Sequence, residues 1–133
     1  MNSIVDFIRT LPDVLSLKGA LEAEIAQAES ALGTSFAQEY RDYVSVFGSI
    51  AYSGHELTGV CASPRLNVVN ATQLARIVNP HIPAEYYVVE DCGIDGILIW
   101  QSPCGEILQT FPNQPPKNIA PALKDYLLAL SRS

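Results

Sequence analysis

The side chains able to do chemistry in this chain are few and scattered. Two histidines, His55 and His81, and three cysteines, Cys61, Cys92 and Cys104, are the soft ligands and nucleophiles available. His55-Glu56 opens like a zinc helix motif, but Gly59 stands where a second histidine would have to be. The His and Cys positions match no ligand frame of the usual spacing, so a metal site is not expected. Cys92 or Cys104, paired with His55 or His81, could serve as a nucleophile and base. A thiolate needs a nearby cation or a helix N-terminus. Glu90, Asp91 and Asp95 around Cys92 act in the opposite sense.

Those three carboxylates are the densest charged group in the second half. They bracket Gly93 and Gly96 and lack the remaining positions of a calcium loop, so a hairpin turn is the simpler reading. As exposed charges they suit the Lys and Arg of a protein partner. With Glu56, and Tyr52 as an aromatic contact, they form the expected partner-binding set: Tyr52, Glu56, Glu90, Asp91 and Asp95. No phosphate loop or dinucleotide fingerprint is present, and no cofactor is expected.

The elements that must position these groups follow from periodicity. Val5, Ile8 and Leu11 predict a short helix stopped by Pro12. Leu21, Ile25, Ala28 and Leu32 share one face of a second helix, with Glu22, Glu24 and Glu29 turned outward and Gly33 as a left-handed terminator. Ser35-x-x-Gln38 reads as a capping box for a third helix bearing Phe36, Tyr40, Tyr43, Val44 and Phe47, ended by Gly48. Short strands flank Ser53-Gly54-His55. A fourth helix is expected over 70–78, capped by Asn70 and ended before Pro80. Residues 86–91, 97–101 and 106–111 predict a three-stranded meander. Its middle strand, apolar on both faces, is covered on both sides. In a strand Tyr86 and Tyr87 must point to opposite faces. Residues 111–117 read as an extended loop, followed by a helix from about Ile119 with Pro121 in its first turn. The order predicts an α+β single domain over 1–133 with a mainly antiparallel sheet and a core over about 19–131.

Bulk properties narrow the function. The chain of 133 residues has 48% hydrophobic and 17% charged residues, an ordinary globular composition. A net charge of −6 and an isoelectric point of about 4.7 repel phosphates and anionic lipid, so neither nucleic acid nor membrane is an expected partner. The same charge attracts a basic protein. The odd cysteine count, and an N-terminus without a basic, apolar leader, point to a cytoplasmic protein with reduced thiols. No apolar run approaches the roughly 18 residues of a membrane span.

One stretch carries more information than these scattered groups. Ile25-x-x-Ala28-Glu29-x-x-Leu32-Gly33, then Phe36-x-x-x-Tyr40, Gly48 and Leu57-x-Gly59 resemble the opening signature of the SUKH (SMI/KNR-like) superfamily. Phe36 takes a leucine position of that pattern, and Ala37 stands where the family has proline. The later run from Tyr86 through Asp91, Gly93, Asp95 and Gly96 resembles the family's strand, acidic turn and strand. The resemblance implies a non-enzymatic α+β domain that works by binding another protein. Many bacterial members are immunity proteins that neutralise polymorphic or contact-dependent toxins, nucleases among them, while fungal relatives are linked to cell-wall assembly. The expected partner is therefore a cognate, basic toxin domain. The alternatives are a regulatory or scaffold domain for an endogenous protein, and a small hydrolase built on the Cys/His pair.

Overall fold

Two glycines with positive φ, Gly33 and Gly48, end the second and third helices. The computed structural model describes residues 3–132. Helix α1 (Ser3–Thr10) buries Ile4, Val5 and Ile8. These residues join the main hydrophobic core. Helix α2 (Glu22–Leu32) buries Ile25, Ala28 and Leu32, and Gly33 follows with φ 68°. The Gly33 and Thr34 amides return to the Ser30 and Glu29 carbonyls, closing the helix end that a left-handed residue permits. Arg76 Nη2 donates to the Leu32 carbonyl at 2.9 Å, placing a cation at the negative end of α2.

Helix α3 (Gln38–Phe47) starts without the expected capping box. Ala37 occupies the N-cap and offers no side-chain acceptor. Tertiary groups serve the preceding amides instead. Phe36 N–H donates to Glu29 Oε2 at 2.8 Å, and Ala37 N–H to the Tyr87 hydroxyl at 2.9 Å. Glu29 is thus turned into the α2–α3 hairpin, not outward, and also binds Arg41. A carboxylate that answers both a helix-start amide and a guanidinium explains a glutamate in the Ala28-Glu29 stretch.

Strands β1 (Leu15–Ser16), β2 (Ile50–Tyr52) and β3 (His55–Glu56) form a small antiparallel sheet. Ser53 and Gly54, both with positive φ, make the two-residue turn between β2 and β3. Helix α4 (Val68–Val78) is capped by Asn67, whose side chain accepts from Val69 N–H and Asn70 N–H, so the helix starts a turn before the expected Asn70.

Strands β4 (Tyr87–Asp91), β5 (Leu98–Gln101), β6 (Ile107–Thr110) and β7 (Lys117–Ala120) form the main antiparallel sheet in sequential order. β7 replaces the end of the expected loop and the start of the last helix. Helix α5 (Leu123–Ser131) begins after Pro121, not around it. Pairing with β6 extends residues 117–120 although Lys117 and Asn118 are poor strand formers. The architecture is α+β.

Apolar residues lie on both faces of the main sheet. Tyr87, Val89, Ile99 and Ile107 join the large core with α1, α2, α3 and α5. Val88, Trp100 and Leu108 join a smaller core with Ala75 of α4 and Ile82. The strand β5 is covered on both sides as its composition predicts, and Tyr86 and Tyr87 part to the two faces. The Trp100 indole donates to Thr110 Oγ1 at 3.0 Å, so its polar edge is met inside the core.

One segment after β3 ties the layers together. Thr58 Oγ1 donates to the Val88 carbonyl and accepts from the Tyr40 hydroxyl, while the Tyr43 hydroxyl donates to the Thr58 carbonyl, all at 2.7–2.8 Å. The next residue, Gly59, passes against the α3 terminus. A Cβ at 59 would sit 1.5 Å from the Gly48 carbonyl oxygen. Leu57-x-Gly59 thus records a backbone crossing too close for any side chain.

Candidate protein-binding cleft

Helix α4 carries more apolar surface than the sheet can cover. Val68, Thr72 and Ala75 face inward. Leu74, Ile77 and Val78 are 69%, 74% and 73% exposed, forming a ridge on the outer side of the helix. Their spacing of three and four residues puts them on one helical stripe. Beside this ridge lies a cleft of about 690 Å³. Ala71, Leu74 and Val78 form its helical wall, Leu98 lines it from the sheet and Pro112 from the β6–β7 connection. Glu56, Glu90 and Asp91 also line it, with Arg65 as the cation.

The acidic residues of the expected partner set divide sharply. Glu56 is exposed and forms a two-pronged pair with Arg65 at 2.6 and 3.0 Å. The Arg65 guanidinium holds the Glu56 carboxyl below its ordinary range. Asp91 is exposed, and its Oδ1 accepts the Gly93 amide at 2.9 Å, shaping the β4–β5 turn. Asp95 is exposed in the same turn with φ 56°.

Glu90 and Tyr52 do not fit the expected exposed set. Tyr52 is 7% exposed, because it lies on the inward side of β2. Glu90 is only 2% exposed. The cause is a bulge in β4: Val88 pairs with Trp100 but Glu90 with Ile99, leaving Val89 as the extra residue. In an unbroken strand Glu90 would share the Val88 face. The bulge turns it to the Ile99 face. There it accepts from the Tyr126 hydroxyl and from His55 Nδ1, the latter at 2.7 Å. Burial, then the bond to Glu90, raises the Tyr126 hydroxyl well above its ordinary range. The group His55–Glu90–Tyr126 joins β3, β4 and α5, which is a structural task.

The thiols are poorly placed for nucleophilic work. Burial, reinforced by Glu90 and Asp91, pushes Cys92 up to about 12, far from a thiolate at neutral pH. Cys61 is also raised, chiefly by burial. Cys104 and His81 are exposed, and His55 is engaged by Glu90. Among the described residues no three His, Cys, Asp or Glu side chains converge as a metal-binding group. No helix among them is long and apolar enough to cross a membrane.

The helices, the Tyr40 contact and the crossing at Gly48 and Gly59 account for the signature residues in physical terms. The SUKH_5 family model, described as SMI1-KNR4 cell-wall, matches residues 1–130. The chain belongs to the SUKH superfamily. The match takes in α1 as well as the stretch from Ile25, in keeping with the burial of Ile4, Val5 and Ile8 in the common core. A search of curated proteins finds no match to this SUKH domain.

The α4 ridge lies outside the partner-binding set expected from the sequence. The signal was present: Leu74-Ala75-x-Ile77-Val78 has more apolar residues than one buried stripe requires. Which of them stayed in water depended on the position of the sheet.

Proposed function

We propose that this SUKH domain is an immunity protein that binds and blocks a cognate bacterial toxin domain of basic charge, acting by contact and not by catalysis. The observation that carries the reading is the α4 ridge, where Leu74, Ile77 and Val78 stand in water on a domain of net charge −6. A contiguous apolar surface beside polar residues is the usual mark of a protein contact. The family match supports a binding role. The acidic balance supports a basic partner, since opposite charge speeds encounter.

The test is a protection assay. The C-terminal region of the product of the adjacent upstream gene is expressed in cells with and without the SUKH domain, and the two chains are co-purified. Restored growth with a stable complex is the expected result. Unrelieved toxicity, or the absence of any toxin-like neighbour, would overturn the immunity reading in favour of a regulatory or scaffold domain.

A further inference from the structure

The cleft beside α4 combines two kinds of lining that suit one kind of guest. Its walls carry apolar residues, from Ala71, Leu74 and Val78 on the helix to Leu98 on the sheet and Pro112 in the β6–β7 connection. Its carboxylates are not equivalent. Glu90 is turned to the opposite face of β4 and satisfied there by Tyr126 and His55. Glu56 is occupied by Arg65. Asp91 is opposite Leu98 in the β4–β5 pair, lines the cleft, and is exposed. One of its oxygens accepts the Gly93 amide, and no ion pair to Lys or Arg reaches it among the described residues.

We propose that the cleft is the docking site for an apolar partner segment bearing an arginine, whose aliphatic stem lies along Leu74, Val78 and Leu98 and whose guanidinium meets Asp91. This rests on the protein-binding role proposed above and names the contact face and the chemistry it selects. An arginine suits both linings, because its stem covers apolar surface while its planar head binds a carboxylate. The pair Arg65–Glu56 displays the same chemistry within the chain at the same cleft.

The titration uses the whole domain and no toxin, so its outcome does not depend on the protection assay. A blocked Leu-Arg-Leu tripeptide and its citrulline counterpart, equal in shape but uncharged, are titrated into isotope-labelled protein and followed by amide shifts. The arginine probe is expected to move the amides of Ala71, Leu74, Asp91 and Leu98, and to bind roughly threefold more tightly than the citrulline probe. Asp91→Asn, which keeps an acceptor for the Gly93 amide, should remove that preference. Leu74→Asp, at a solvent-exposed position, should weaken both probes while leaving the remaining amide spectrum in place. Shifts scattered over other acidic surfaces, equal affinity for the two probes, or unchanged binding by Leu74→Asp would each overturn the assignment. Growth protection retained in full by Leu74→Asp would overturn it too, while leaving the immunity reading intact.

Discussion

The Glu39 carboxylate of α3 caps the N-terminus of α5, accepting Leu123 N–H at 2.7 Å and Lys124 N–H at 3.0 Å. It also accepts from Gln101 Nε2 at 2.9 Å, so one side chain joins α3, α5 and β5. The cap residue itself, Ala122, has no acceptor. A carboxylate at a helix N-terminus meets both the free amides and the positive end of the dipole. Glu39→Ala should therefore destabilise the domain by about 2 kcal/mol. Glu39→Gln, which retains an acceptor, should cost about half as much. Urea unfolding monitored by Trp100 fluorescence measures both. Equal, negligible losses would show that water serves the α5 amides just as well.

Two glycines should respond differently to the same added methyl group. At Gly33 nothing lies within 4 Å of a new Cβ, so Gly33→Ala meets only the strain of φ 68°, about 1 kcal/mol. At Gly59 the new Cβ would overlap the Gly48 carbonyl. Gly59→Ala must separate α3 from the Thr58 segment, and about 3 kcal/mol is expected. Thermal unfolding of the two variants should rank them in that order. A reversed ranking would mean that the crossing at Gly48 and Gly59 is looser than described.

Alkaline pH should unfold this domain early. Tyr40, Tyr43, Tyr87 and Tyr126 are all raised above the ordinary tyrosine value of 10.0, chiefly by burial. Cys92 is raised from 9.0 to about 12. Above these ordinary values the unfolded chain releases protons that the folded chain keeps. Fewer protons are then bound in the unfolded state, so stability falls as pH rises. The loss should begin near pH 9 and steepen beyond pH 10, while these groups contribute no pH dependence below that window. Melting temperatures across this range provide the check. A flat profile would show that the tyrosine hydroxyls ionise without leaving the core.

The acidic β4–β5 turn should act on the rate of partner capture. Once the proposed basic partner has been isolated, Asp91→Lys combined with Asp95→Lys should slow association about tenfold at low salt and flatten its salt dependence. The dissociation rate should change less, because long-range charge acts mainly on encounter. Stopped-flow mixing at two ionic strengths measures this. An unaltered association rate in a folded double variant would remove the turn from the contact surface.

The physical divide in legibility runs between local and non-local causes. Gly33 was readable because a helix end is a local event, with its apolar stripe finishing one residue earlier. The cap falls on Asn67 and not on the expected Asn70; both are good cap residues, and the bridge of Gly59 with Asn67 and the Asn67 Nδ2 bond to the Cys61 carbonyl hold the earlier one in place. Strand β7 was missed because its residues gain their conformation from β6 across the sheet.

What the sequence determined by itself was the α+β class, the three helices from α1 to α3, the meander and the family, since each depends on periodicity or motif order along the chain. Tertiary structure alone decided which carboxylates meet solvent. Glu90 and Asp91 are adjacent and chemically similar. The bulge at Val89 buries the first against Tyr126 and His55, and leaves the second beside the apolar wall of α4. A one-residue change of register reverses the face of every side chain beyond it, and register is set by strand partners distant in the sequence.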